Sequence, residues 1–169
     1  MNSGQGKWIY GFDGNNYKTK LFISSEVEKV HIYANTYRQY DLYIIIQARG
    51  TNLDLYLENF AMCAPVRLNS NGTGTTYDTI SMYITEPDAT LNLYTYGTVS
   101  IYGSTYSKIS GYNYSGSYAF YCSNLNIAAA DNLKIYGGYG AGTGKNSKAI
   151  LGNCTISCDE NKVIIYDRA

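Results

Sequence analysis

The chain has 169 residues, is 45% hydrophobic, and carries 13 basic against 13 acidic side chains, for a formal net charge of zero. That length suffices for a single domain, residues 1–169, with a real core, and neutrality removes the long-range field on which nucleic-acid and polybasic membrane-surface proteins depend. No apolar run approaches the roughly 20 residues of a membrane helix, so no nucleic acid and no membrane insertion are expected, and Met1-Asn2-Ser3-Gly4 lacks the basic start of a signal peptide.

In chain order, KWIYGFDGNNYKTKLF (7–22) holds the sole tryptophan, Trp8. Residues 1–24 are expected to cap an open core end, with the repeating part spanning 25–169. KVHIYAN (29–35) and TNLDLYLEN (51–59) alternate apolar and polar residues, the period of a half-buried strand. NSNGTGTT (69–76) interrupts that alternation. LNLYTYGTVSIYGS (91–104) then supplies two short strands, with Leu91, Leu93, Val99 and Ile101 on the inner side and Tyr94, Tyr96 and Tyr102 on the outer. A second insertion, STYSKISGYNYSG, fills 104–116.

Thirty-four residues beyond Leu91 the same spacing returns in LNIAAADNLKIYGG as Leu125, Ile127, Leu133 and Ile135, with Tyr136-Gly137 falling on Tyr102-Gly103. After a third insertion, GGYGAGTGKN (137–146), it returns once more: Ser117, Ala119, Leu133, Ile135 and Tyr136 map onto Ser147, Ala149, Val163, Ile165 and Tyr166. A slip of one residue brings Ile127 to Ile156. Self-similarity at about 30 residues, with two or three short strands per unit, is the mark of a solenoid. The expected fold is therefore all-β, a right-handed parallel β-helix of about five irregular coils, with a β-sandwich as the alternative. Stacked coils set equivalent residues about 4.8 Å apart, which would align Tyr102, Tyr136 and Tyr166 in one outer column. Small and turn-forming residues mark the corners at Ser123-Asn124, Asp131-Asn132, Gly137-Gly138 and Asn161.

From residue 41 onward, over about three quarters of the chain, the sequence resembles the β-helical repeat modules described as carbohydrate-binding domains in large surface proteins of Gram-positive gut bacteria. The stretches that carry the resemblance are YDLYIIIQARGTNLDLYLENFAMCAP, LNLYTYGTVSIYG, and SGSYAFYCSNLNI followed by NLKIYGGYGAGTG. These are structural glycines and apolar ladders rather than a catalytic signature. The resemblance implies a β-helical fold, carbohydrate binding and an extracellular or cell-surface location as part of a longer multidomain chain.

Read for chemistry, the residues point away from catalysis. Gly138–Lys145 is similar in outline to a phosphate loop, but Tyr139 stands where a glycine is needed and Asn146 where Ser or Thr is needed, so it reads as a corner loop. Asp54 and Glu58 share a strand face, with Asp41, Arg49 and Arg67 as further charges. Glycoside chemistry needs two carboxyls flanking a sugar cleft, and these read as solvated charge. A polysaccharide lyase or hydrolase is the enzyme alternative. His31 faces outward with no partner identifiable, and Asp13-Gly14-Asn15-Asn16 reads as a turn rather than a calcium loop. Cys63, Cys122, Cys154 and Cys158 contain no CxxC pair, and their pairing is left open; no metal and no cofactor are expected.

Tyrosine accounts for 20 residues and charged residues for 15%, so the surface is built from neutral hydrogen-bonding groups and large stiff rings. Sugar rings stack on such aromatics. The candidate ligand-binding residues are Tyr94, Tyr96, Tyr102, Tyr106, Tyr112, Asn113, Tyr114, Tyr136 and Tyr139. The expected function is non-catalytic binding or adhesion toward a glycan or another host or bacterial surface, with a structural stalk or spacer as the alternative. The competing account of the tyrosines is sheet stabilisation by ring contacts between neighbouring strands.

Overall fold

The computed structural model describes residues 8–13, 18–33, 44–49, 52–63, 81–84, 86–103, 118–138 and 147–168. They form strands almost throughout: β1 (Trp8–Asp13), β2 (Lys18–Ile23), β3 (Lys29–Tyr33), β4 (Ile44–Ala48), β5 (Asn52–Glu58), β6 (Ala61–Cys63), β7 (Met82–Ile84), β8 (Thr90–Tyr96), β9 (Val99–Tyr102), β10 (Phe120–Ala129), β11 (Leu133–Tyr136), β12 (Ile150–Ile156) and β13 (Val163–Tyr166). A single 3-10 turn, Glu160–Lys162, precedes β13.

The strands pair into three ladders. The first runs β2, β4, β7, then Phe120-Tyr121 of β10 and Ile150-Leu151 of β12. The second runs β3, β5, β8, then Asn124–Ala129 of β10 and Asn153–Ile156 of β12. The third is β6, β9, β11, β13. Every one of these pairings is parallel; among the described strands only β1 and β2 pair antiparallel. From β4 onward the chain visits the three ladders in the same order on each pass, and a parallel neighbour is what an antiparallel sandwich does not offer. Because β2 lies parallel to β4, the ladder extends into the segment that the sequence assigned to a cap.

Registers follow the apolar spacing. Leu91, Leu93, Val99 and Ile101 sit opposite Leu125, Ile127, Leu133 and Ile135, and all eight are buried. Leu133 and Ile135 in turn meet Val163 and Ile165. The inner columns Leu53–Leu91–Leu125 and Leu55–Leu93–Ile127 belong to one continuous core. Each fully buried aliphatic side chain contributes about 1.5–3 kcal/mol relative to exposure. Alternation is what keeps that core on one side: β5 and β8 bury every second residue.

Two local devices hold the passes in register. Between β10 and β12 the pairing shifts after Tyr121↔Leu151, so that Asn124 meets Asn153 and Ile127 meets Ile156. Two residues, Cys122 and Ser123, therefore face one, Gly152. Gly152 has φ +136°, and a Cβ there would come within 1.7 Å of the Cys122 carbonyl oxygen. The corner expected at Ser123-Asn124 is thus a bulge inside a continuous strand rather than a break. At the next corner Asn59 and Gly97 both adopt left-handed backbone, where Asn and Gly are the residues that pay little steric cost. The Asn59 N–H donates to the Tyr96 carbonyl at 3.1 Å, and the Gly97 N–H donates to Asp131 Oδ2 at 2.8 Å.

Candidate binding surface

Residues that alternate with the core columns point outward, and stacking brings like residues together there. On the second ladder, Asp54, Asn92 and Asn126 occupy one position on three successive strands. Asn92 Nδ2 donates to Asp54 Oδ1 at 2.8 Å, and Asn126 Nδ2 donates to Asn92 Oδ1 at 2.9 Å. Two residues further along the same strands, Tyr56 and Tyr94 stack with ring centroids 4.6 Å apart and planes 15° from parallel. Lys29 Nζ lies 4.6 Å from the Tyr56 ring centroid, a cation–π contact. The Asp54 carboxylate beside Tyr94 pushes the phenol's pKa up from its ordinary value, because a second negative charge is disfavoured there.

His31, for which the sequence offered no partner, stands outward on β3 with Nε2 3.3 Å from Glu58 Oε2. Its ring also contacts Tyr33 and Tyr56. The two carboxylates weighed for glycoside chemistry are thus both engaged, Asp54 with an amide and Glu58 with an imidazole. Asp41 and Arg67 lie outside the described residues, and Arg49 is exposed.

The third ladder carries the column that the repeat predicted. Tyr102 lies opposite Tyr136, and Tyr136 opposite Tyr166. The first pair stacks at 5.1 Å with planes 5° apart; the second is tilted, at 6.1 Å and 53°. The Arg168 guanidinium sits 5.5 Å from the Tyr136 ring centroid. On the first ladder Tyr83 is opposite Tyr121, with Tyr118 packed alongside.

No known protein family matches this chain, and no curated protein or solved structure does either.

The candidate residues are therefore divided. Tyr94 and Tyr96 belong to the second ladder, Tyr102 and Tyr136 to the third, and Tyr106, Tyr112, Asn113, Tyr114 and Tyr139 lie outside the described residues. Reading the sequence missed Tyr56, Asp54, Asn92 and Asn126 as a group. The signal for them was present, because the alignment that pairs Leu53 with Leu91 and Leu125 also aligns Asp54 with Asn92 and Asn126.

Stacking also decides which rings can receive a ligand. Two rings facing each other spend those faces on one another and present edges and hydroxyls outward. Open ring area belongs to Tyr96, 44% exposed, to Tyr33 at 60% and to Tyr166 at 56%. Cys122 is buried and free, Cys158 is half-buried and free, and Cys154 is exposed and free. Among the described residues no group of three His, Cys, Asp or Glu side chains could hold a metal ion, and no helix is long and apolar enough to cross a membrane.

Proposed function

We propose that this chain is a non-catalytic binding module, a right-handed parallel β-helix of about five coils that recognises carbohydrate at a bacterial surface or in a secreted protein. One observation carries the reading. On the outer face of the second ladder a polar row, the Asp54 carboxylate followed by the Asn92 and Asn126 amides, runs beside an aromatic row, Tyr56–Tyr94, with Tyr96 open at its edge. The apolar face of a sugar ring would rest on Tyr96 while its hydroxyls exchange hydrogen bonds with the Asn amides and with the outward hydroxyls of Tyr56 and Tyr94, the combination of apolar body and few placed polar groups that small-ligand sites use. The passes through three parallel ladders support the coil architecture, and the resemblance of LNLYTYGTVSIYG and its neighbours supports the ligand class.

The test is a glycan array read with the wild-type chain and with Tyr94→Ala, Tyr96→Ala and Asn92→Ala. Binding that falls at least about tenfold in Tyr96→Ala and Asn92→Ala, the loss of roughly 1.4 kcal/mol, supports the reading. A wild-type chain that binds no glycan ends it and leaves the structural spacer. That second reading draws on β12 and β13, whose apolar residues Leu151, Ile156, Ile164 and Ile165 are exposed.

A further inference from the structure

The aromatic row of the second ladder ends differently on its two sides. Tyr56 lies against Tyr94 on one side, and from β3 it is met by Lys29 Nζ and by the His31 ring. Tyr94 has Tyr56 alone: its neighbour on β10 is Ala128. Beyond Ala128, on β12, comes Ser157, one residue past the Ile127↔Ile156 pair. The Tyr56 and Tyr94 rings are 15° from parallel at 4.6 Å, so both planes stand across the ladder and the second face of Tyr94 looks out over Ala128. Among the described residues no ring meets that face. The outer surface therefore drops from Tyr94 to a floor of small side chains. The floor begins one strand spacing away, about 4.8 Å, where a third ring of the stack would lie.

The step continues along the strands. Ala130, exposed, comes beside Tyr96, because its N–H donates to the Thr95 carbonyl at 2.9 Å. Asn126 stands two residues before Ala128 on the same face. Its Nδ2 donates to Asn92 Oδ1 at 2.9 Å, which leaves one amide hydrogen and Oδ1 for a further partner. Asp54 lies close enough to Tyr94 to push its phenol up, and Asp131 Oδ2 accepts from the Gly97 N–H just past Tyr96.

We propose that this step is a subsite for a neutral pyranose, held face-on against Tyr94 above Ala128, in an oligosaccharide whose next ring rests on Tyr96 above Ala130. The proposal rests on the carbohydrate-binding reading and narrows it to a ligand class. A pyranose with equatorial substituents carries only C–H bonds on its faces, so it can take the place of a third ring against the Tyr94 face. Its hydroxyls lie in the ring plane, where Asn126 can donate to one and accept from another. A sugar carboxylate would meet the negative charge of Asp54 and Asp131, and like charges brought together cost affinity.

The experiment is an NMR titration of the full chain with cellohexaose, a neutral β-1,4-linked glucan with equatorial substituents, and with the matching β-1,4-linked oligoglucuronate. Cellohexaose is expected to bind, with saturation transfer strongest to its ring C–H protons, and the oligoglucuronate to bind at least about tenfold more weakly. Ala128→Tyr continues the stack across the open face of Tyr94. It should weaken cellohexaose at least about tenfold without lowering the thermal unfolding midpoint, since a ring there gains a cross-strand partner. Tyr94→Leu should weaken binding as much, Tyr94→Phe by no more than about threefold, and Tyr166→Ala, on the third ladder, should leave it unchanged. The Tyr94 pair decides the question should Ala128→Tyr fail to fold. Undiminished binding in Ala128→Tyr or Tyr94→Leu, or equal affinity for the oligoglucuronate, overturns the proposal. A wild-type chain that binds other glycans but not cellohexaose overturns it too and leaves the wider reading standing; one that binds no glycan removes both.

Discussion

Thr95 points inward between Leu57 and Ala129, 1% exposed, and its hydroxyl finds no hydrogen-bond partner among the described residues. A buried unpaired hydroxyl costs free energy that an isosteric methyl does not. Thr95→Val is therefore expected to raise unfolding stability by about 1 kcal/mol in urea titrations. Cys122 makes a second prediction at this scale. Burial, with a smaller contribution from Cys154, pushes its thiol pKa up to about 12 from the ordinary 9.0. A folded-state pKa above the unfolded one means that the folded chain holds the proton more tightly, so the contribution is full below pH 9 and falls as pH rises from there toward 12. The loss is ~1.4 kcal/mol per pH unit from this group. Cys122→Val should flatten that alkaline slope, and iodoacetamide at pH 8 should label exposed Cys154 before Cys122.

Elements are tied to each other by rows of side chains as well as by backbone. Asn92 sits in the middle of the polar row and Asn126 at its end. Removing the middle member strands two partners, and removing the end member strands one. Asn92→Ala is expected to cost about 1–2 kcal/mol and Asn126→Ala about half of that, by chemical denaturation. How much of this was legible beforehand follows from what repeats. Apolar alternation at a fixed interval announced β8 with β10 and β9 with β11, register included, because a one-residue slip would turn the whole inner column outward. The slip before Ile156 was legible for the same reason. Its cause was not: the bulge depends on Gly152 lying against the Cys122 carbonyl, a contact between residues thirty apart. His31 looked partnerless because Glu58 approaches it only when β3 lies beside β5.

Across the whole molecule, each pass is supported by its neighbours and contributes to theirs, so stability should depend on position in the stack. Leu93, with Leu55 on one side and Ile127 on the other, is fully buried. Leu93→Ala should cost about 2–5 kcal/mol through lost burial and a trapped cavity. Among the described strands Ile165 has Ile135 on one side only, and it is 36% exposed, so Ile165→Ala should cost about 1 kcal/mol. Comparable losses at the two sites would mean that the last pass is covered under the conditions of the measurement. The sequence alone determined the all-strand character, the repeat interval, the inward residues and the tyrosine column, because each follows from a period written along the chain. Only the tertiary structure decided that Tyr94 and Tyr102, eight residues apart, lie on different ladders, and that Tyr56 rather than Tyr102 is the ring against Tyr94. The physical reason is that those facts belong to which strand lies beside which, and hydrogen bonds between distant passes, not local periodicity, make that choice.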